Sequence, residues 1–240
     1  MRHLRELIAA IQAARPADNF FSEFETGIAQ NALKRKHFAA YERALRCLDD
    51  ASWENLRTKA VAHFHESRHR QQKAPFFDQL NDVFAYRWLI QQGFSGVTVL
   101  PENRRPRSGE KCPDLAFFGP HKRFACDVKT IGVSDAELDR RQSAPKYYDS
   151  SMYKALAPGF FRKIDDAIVK GTEQVRQYAE GGLVFIVVHN DDITSSFHAD
   201  HRTQITRHLQ KHSVPVVVKF GVCGQHRIER VASLFGNNAA

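Results

Sequence analysis

Residues Cys112 to Ile131 read Cys-Pro-Asp-Leu-Ala-Phe-Phe-Gly-Pro-His-Lys-Arg-Phe-Ala-Cys-Asp-Val-Lys-Thr-Ile. Two short apolar runs, Leu115 to Phe118 and Phe124 to Val128, are split by Gly119-Pro120-His121-Lys122-Arg123. Runs of this length, bounded by Gly and Pro, predict neighbouring buried strands joined by a turn. The polar exceptions are Asp114 at the mouth of the first strand and Asp127 and Lys129 near the end of the second. Alternation along a strand puts Asp127 and Lys129 on one face, and pairing of the strands brings Asp114 to them. Two carboxylates and an ammonium are costly to desolvate unless something uses them. A hard divalent cation, Mg2+ or Mn2+, is the natural tenant of such oxygen ligands.

Upstream, Phe76 to Gln92 reads as a helix with Phe77, Leu80, Phe84 and Trp88 on one face and Gly93 as its stop. It carries Asp78 and Asp82 one turn apart. Val97 to Leu100 is the next strand. A basic loop with Arg104, Arg105, Arg107 and Lys111 then leads straight into Asp114, and reads either as a solvated surface or as a phosphate contact. Downstream, Ser134-Asp-Ala-Glu137 has the capping-box spacing of a short helix through Arg140 and Arg141. Those arginines, Lys146, and the tyrosines at 147, 148 and 153 read as a nucleic-acid clamp or, for the tyrosines, as core cover. A helix from Phe160 to Glu180 precedes Leu183 to Val188, the clearest buried strand. A helix from about Ala199 to His212 and a strand from Val214 to Phe220 follow.

Pro113-Asp114 and then Asp127-Val128-Lys129, set in the order helix, three strands, helix, strand, resemble the PD-(D/E)XK nuclease superfamily of restriction enzymes, Holliday-junction resolvases and RecB-type nucleases. Gln174-Val-Arg-Gln-Tyr178 is similar to the Gln-x-x-x-Tyr helix of the RecB type. The resemblance implies an α/β, restriction-endonuclease-like core (α-β-β-β-α-β, a central mixed sheet flanked by helices) within residues 75–240. It implies Mg2+- or Mn2+-dependent hydrolysis of phosphodiester bonds, in DNA ahead of RNA, internal rather than terminal, leaving a 5′-phosphate. Asp114, Asp127, the Val128 carbonyl and Asp82 would be the metal ligands, Asp82 standing where the family usually has a longer Glu. Lys129 would orient or deprotonate the attacking water or stabilise charge on phosphorus, Gln174 would position Lys129 or the phosphate, and Tyr178 would line the groove. The alternative is an inactive nuclease-fold module that binds nucleic acid or a protein partner within a larger complex.

Residues 1–74 read as helices packed on that core, and as the surface through which a homodimer or a partner subunit would form. Leu4, Leu7, Ile8 and Ile11 make the first apolar face, a long helix runs from Phe21 to Leu48, and Asp50 or Ser52 caps a third. The chain of 240 residues is 42% hydrophobic, enough for one large domain or a domain with an appendage. Its net charge of +8 favours a polyanionic partner, and 13 basic against 9 acidic residues before Pro75 show that the charge is no tail feature. No apolar run is long enough for a bilayer, and the charged first helix makes a poor signal peptide, so the expectation is a cytoplasmic protein. Cys47, Cys112, Cys126 and Cys223 have no zinc or iron–sulfur spacing and are expected to be buried thiols. His63, His65, His198, His201, His208 and His212 hint at metal ligands but, with no second cluster of cysteine or acid to complete a site, are read as exposed helix histidines.

Overall fold

A computed structural model describes residues 1–68, 71–102, 112–119, 122–132, 139, 153–189, 197–224 and 227–231. The expected basic-loop residues Arg104, Arg105, Arg107 and Lys111, and Arg140, Arg141 and the helix opening at Ser134, lie outside these. The elements are α1 (Arg2–Ala14), α2 (Phe24–Gln30), α3 (Ala32–Leu45), α4 (Asp50–His63), β1 (Ser67–Arg68), β2 (Gln71–Gln72), α5 (Ala74–Leu80), α6 (Asp82–Gln91), β3 (Ser95–Val99), β4 (Leu115–Phe118), β5 (Arg123–Ile131), α7 (Pro158–Tyr178), β6 (Gly182–Val188), α8 (His198–Leu209), β7 (Val216–Phe220) and β8 (Arg227–Arg230).

Six strands form one mixed sheet in the order β3-β4-β5-β6-β7-β8. β3, β4 and β5 are antiparallel neighbours, β5, β6 and β7 run parallel, and β8 returns antiparallel at the edge. The short connection between Phe118 and Arg123 suits the antiparallel pair, whereas the parallel pairs need the crossovers that α7 and α8 supply. Helices cover both faces. Leu183, Phe185 and Val187 of β6 join the aromatic core shared with α1–α6, and Val184, Ile186 and Val188 pack with α7 and α8. Burial on both faces is why β6 is uniformly apolar. β5 alternates in the same way. Phe124, Cys126 and Val128 turn to the α1–α6 core, which leaves Asp127 and Ile131 on the α7 side.

The structure differs from the sequence expectation in several places. The long helix from Phe21 breaks at Asn31, whose side chain caps α3 by accepting from the Lys34 amide. Asp49, rather than Asp50 or Ser52, caps α4 by accepting from the Ser52 amide. The helix from Phe76 breaks at Asn81, a fully buried residue whose amide bonds Tyr41 Oη and Thr130 Oγ1. Of the cysteines only Cys126 is buried, and Cys47 and Cys112 are exposed. Among the described residues no helix is long and apolar enough to cross a membrane.

Candidate metal and catalytic site

β5 is nine residues long and β4 only four, so the two pair from Arg123 to Cys126, and past the start of β4 the strand β5 keeps β6 on one side but has no β4 on the other. Backbone groups left over in this way need partners. Asp114, the residue just before β4, supplies one: its Oδ2 accepts from the Val128 amide at 2.8 Å. The same carboxylate turns its Oδ1 to the Lys59 ammonium at 3.3 Å. Asp114 thus lies across the end of β4, joining the sheet to the helical layer.

Lys59 was not among the sequence candidates. It stands on α4, 6% exposed, and donates to Asp82 Oδ2 at 2.9 Å as well as to Asp114. The signal that could have found it is positional. Ser52, Leu56 and Ala60 form the buried stripe of α4, and Lys59 lies on it. A lysine there has its head group inside the protein. Two carboxylates hold it charged, against the burial that pulls the other way.

Asp127 is sealed on the α7 side of β5, with no accessible surface. The Lys129 ammonium stands 2.6 Å from its Oδ2, yet off the angle a hydrogen bond needs, so both carboxylate oxygens are buried without a hydrogen-bond partner. Lys129 instead donates to Gln174 Oε1 at 2.7 Å, and Gln174 Nε2 donates to the Cys112 carbonyl at 3.1 Å. One residue of α7 thereby fixes both the lysine and the chain leading into Asp114. The helix can pass so close because residue 171 is a glycine. A Cβ there would lie 2.8 Å from Asp127 Oδ2 and from Val184 Cγ2.

Three carboxylates and two ammoniums share this cluster, one negative charge in excess. The excess has a titration signature. Burial first, and the charge of Asp114 second, push Asp127 up to about 7, with Lys129 and Lys59 opposing. The same two causes push Asp82 up to about 8 against Lys59. The lopsided pairing, Lys59 fully charged and Asp82 raised, follows from one ammonium being shared between two acids. Desolvation and the crowding of like charges both raise a carboxyl in this way.

The structure therefore brings Asp82, Asp114, Asp127, Lys129 and Gln174 into one network with Asp114 as its junction. It places two sequence candidates elsewhere. Tyr178 ends α7, one turn beyond Gln174, and its hydroxyl accepts from Arg123 with the guanidinium over its ring. Asp78, on α5, acts electrostatically on Tyr41 and His189. Val128 is paired with Phe185 in the parallel ladder, next to the acids. Comparison with known proteins adds no relative: no family model, no curated protein and no solved structure matches the chain.

Proposed function

We propose that this chain is a divalent-metal-dependent nuclease of the PD-(D/E)XK kind, cutting phosphodiester bonds within DNA. The observation that carries the reading is Asp127, a carboxylate sealed from water with neither oxygen hydrogen-bonded, one residue from the Asp114 contact. An acid sealed from water, ion-paired to Lys129 yet not hydrogen-bonded, is costly, and a hard cation is a partner that would satisfy it. The order of helices and strands, the placement of Asp114 before β4 and of Asp127 and Lys129 on β5, and the lysine–glutamine bond to α7 support the same reading. The overall charge of +8 suits a polyanionic substrate.

Asp127 and Asp114 would hold Mg2+ or Mn2+, with the Val128 carbonyl as a further ligand. When bound, such an ion polarises a phosphate oxygen and lowers the pKa of a coordinated water. Asp82 serves differently from the helix Glu of the resemblance: its described partner is Lys59, and through Lys59 it positions Asp114. Lys129 is the working cation. Its side chain is a quarter exposed, so its ammonium can meet a phosphate while Gln174 and Asp127 hold it in place. There it stabilises charge developing on phosphorus or orients the attacking water. Basic residues of the 104–111 loop and Arg140 and Arg141 would track the backbone.

Lys59 favours a second reading. An internal ammonium already bridges Asp82 and Asp114, as in a fold that keeps its acids and binds nucleic acid or a protein without cutting. Purified protein with Mg2+ or Mn2+ is to be incubated with single-stranded, nicked and branched DNA and with RNA, beside Lys129→Ala. The nuclease reading expects cleavage of at least one polymer and its loss in the variant. No cleavage, or equal cleavage by both, removes it. Calorimetric titration with Mn2+ then separates the second reading, since a non-catalytic module need not bind an ion that Asp114→Asn abolishes.

A further inference from the structure

On the face of the sheet that α7 and α8 cover lies a second polar cluster, built from different chemistry. His208 and His212 occupy successive turns of α8 and the residues just after it, so that both rings project the same way. Their Nε2 atoms converge on a single oxygen, Asp165 Oδ1 of α7, at 2.7 and 2.8 Å. The other oxygen, Oδ2, meets the Lys211 ammonium at 3.0 Å. The Phe161 ring packs on His208 with centroids 4.6 Å apart and so restricts its rotation. The two imidazoles are about one-sixth exposed and Asp165 about one-third, which leaves one side of the group open to solvent.

We propose that Asp165, His208 and His212 form a transition-metal site that takes Zn2+ or a similar borderline ion, with water as the fourth ligand. Their ligating atoms already lie within 4.8 Å of one another. Zinc–nitrogen and zinc–oxygen bonds of about 2.0–2.2 Å set the edges of a tetrahedron at roughly 3.4 Å. Each nitrogen–oxygen contact, now 2.7 or 2.8 Å, therefore has to open by about 0.6–0.7 Å, which small side-chain rotations supply. Two histidines one helical turn apart are a recurrent half of such sites, and the carboxylate from a neighbouring helix completes it. Lys211 is half exposed and swings to water when the ion arrives. The ligand set also separates this site from the acid cluster, because imidazole selects borderline ions and an all-oxygen set selects hard ones. An ion held here ties α7 to α8 on one face of the sheet and steadies the helix that carries Gln174. The proposal stands independently of the nuclease reading.

The test uses the full chain, stripped with chelator and titrated with Co2+, read by its visible ligand-field bands, and with Zn2+ by calorimetry. One equivalent is expected at this site. His212→Gln keeps a side-chain donor toward Asp165 but removes the imidazole, and Asp165→Asn removes the carboxylate. Each is expected to weaken that equivalent by at least the ~10–100-fold that loss of a mere supporting partner costs such sites. Asp127→Asn is expected to leave it unchanged. Circular dichroism confirms that the variants are folded, and if Asp165→Asn is not, His212→Gln alone decides. No bound equivalent in the parent chain, or one that survives His212→Gln, overturns the proposal.

Discussion

Asp127 on β5 and Asp165 on α7 are carboxylates on the same side of the sheet, set in surroundings of opposite kind. Asp165 is ringed by donors, two imidazoles on one oxygen and an ammonium on the other. Burial would raise its pKa, but those hydrogen bonds outweigh burial and draw it down to about 2. Asp127 is sealed, with a glycine backbone overhead and a lysine at the wrong angle, and goes the other way. The difference teaches what each acid is suited to hold. A carboxylate wrapped in imidazole matches an ion that favours nitrogen, and one sealed beside a single ammonium matches an ion that brings its own charge and prefers oxygen.

The strongest way to break this contrast is by cleavage. Under the nuclease reading, Asp127→Asn is expected to lower Mg2+-dependent cutting by about 10²–10³ or more, and Asp165→Asn by no more than a few-fold. Equal losses in a gel assay would erase the distinction. Lys59→Met comes next. It leaves Asp82 and Asp114 buried together without their ammonium, at a cost of about 3–5 kcal/mol in denaturant unfolding at pH 8. The cost is expected to shrink toward pH 5, where a proton takes the place of the lysine.

The pH dependence of the metal-free protein sharpens the same point. In the folded state Asp127 and Asp82 keep protons up to about 7 and about 8, whereas in the unfolded chain carboxyls shed them near 3.8. Stability is therefore expected to fall as pH rises across that window, by at most about 1.4 kcal/mol per pH unit for each proton. Asp127→Asn should flatten the slope, and added Mg2+ should oppose it. A flat profile in the parent chain contradicts the burial of these acids. Gly171→Ala is expected to cost about 1–3 kcal/mol, because its methyl must push α7 off Asp127 and Val184. Asp165→Asn is the mildest, about 1–2 kcal/mol at neutral pH, for weakened bonds to Lys211 and the histidines. With its pKa lowered, that contribution is present above 3.8 and is lost as pH falls through about 2.

Much of the sheet was legible because its signals are local. Gly119-Pro120 marks the turn between β4 and β5, and the run from Leu183 to Val188 announces a strand buried on both faces. β8 was missed since Arg227-Ile-Glu-Arg230 is an edge strand with a single apolar residue. The break at Asn81 was hidden because its cause is distant: the amide serves Tyr41 and Thr130, some 40 and 49 residues away in sequence. The same reason hid a member of each polar cluster. Asp114, Asp127 and Lys129 share one hairpin and its neighbour and could be read together, but Lys59 meets its acids across 23 and 55 residues. His208 and His212 are visible in the sequence only among six helix histidines, and the acid that joins them lies 43 residues before the first.

The split grip of Asp114, one oxygen on the β5 backbone and the other on a lysine of α4, has a mechanical corollary. Any ion that draws this carboxylate toward itself must loosen the lysine, and so slacken the tether of α4 to the sheet. Occupancy of the acid cluster by an ion should then be audible at a distance, as faster amide hydrogen exchange along α4, in a helix that no substrate needs to touch.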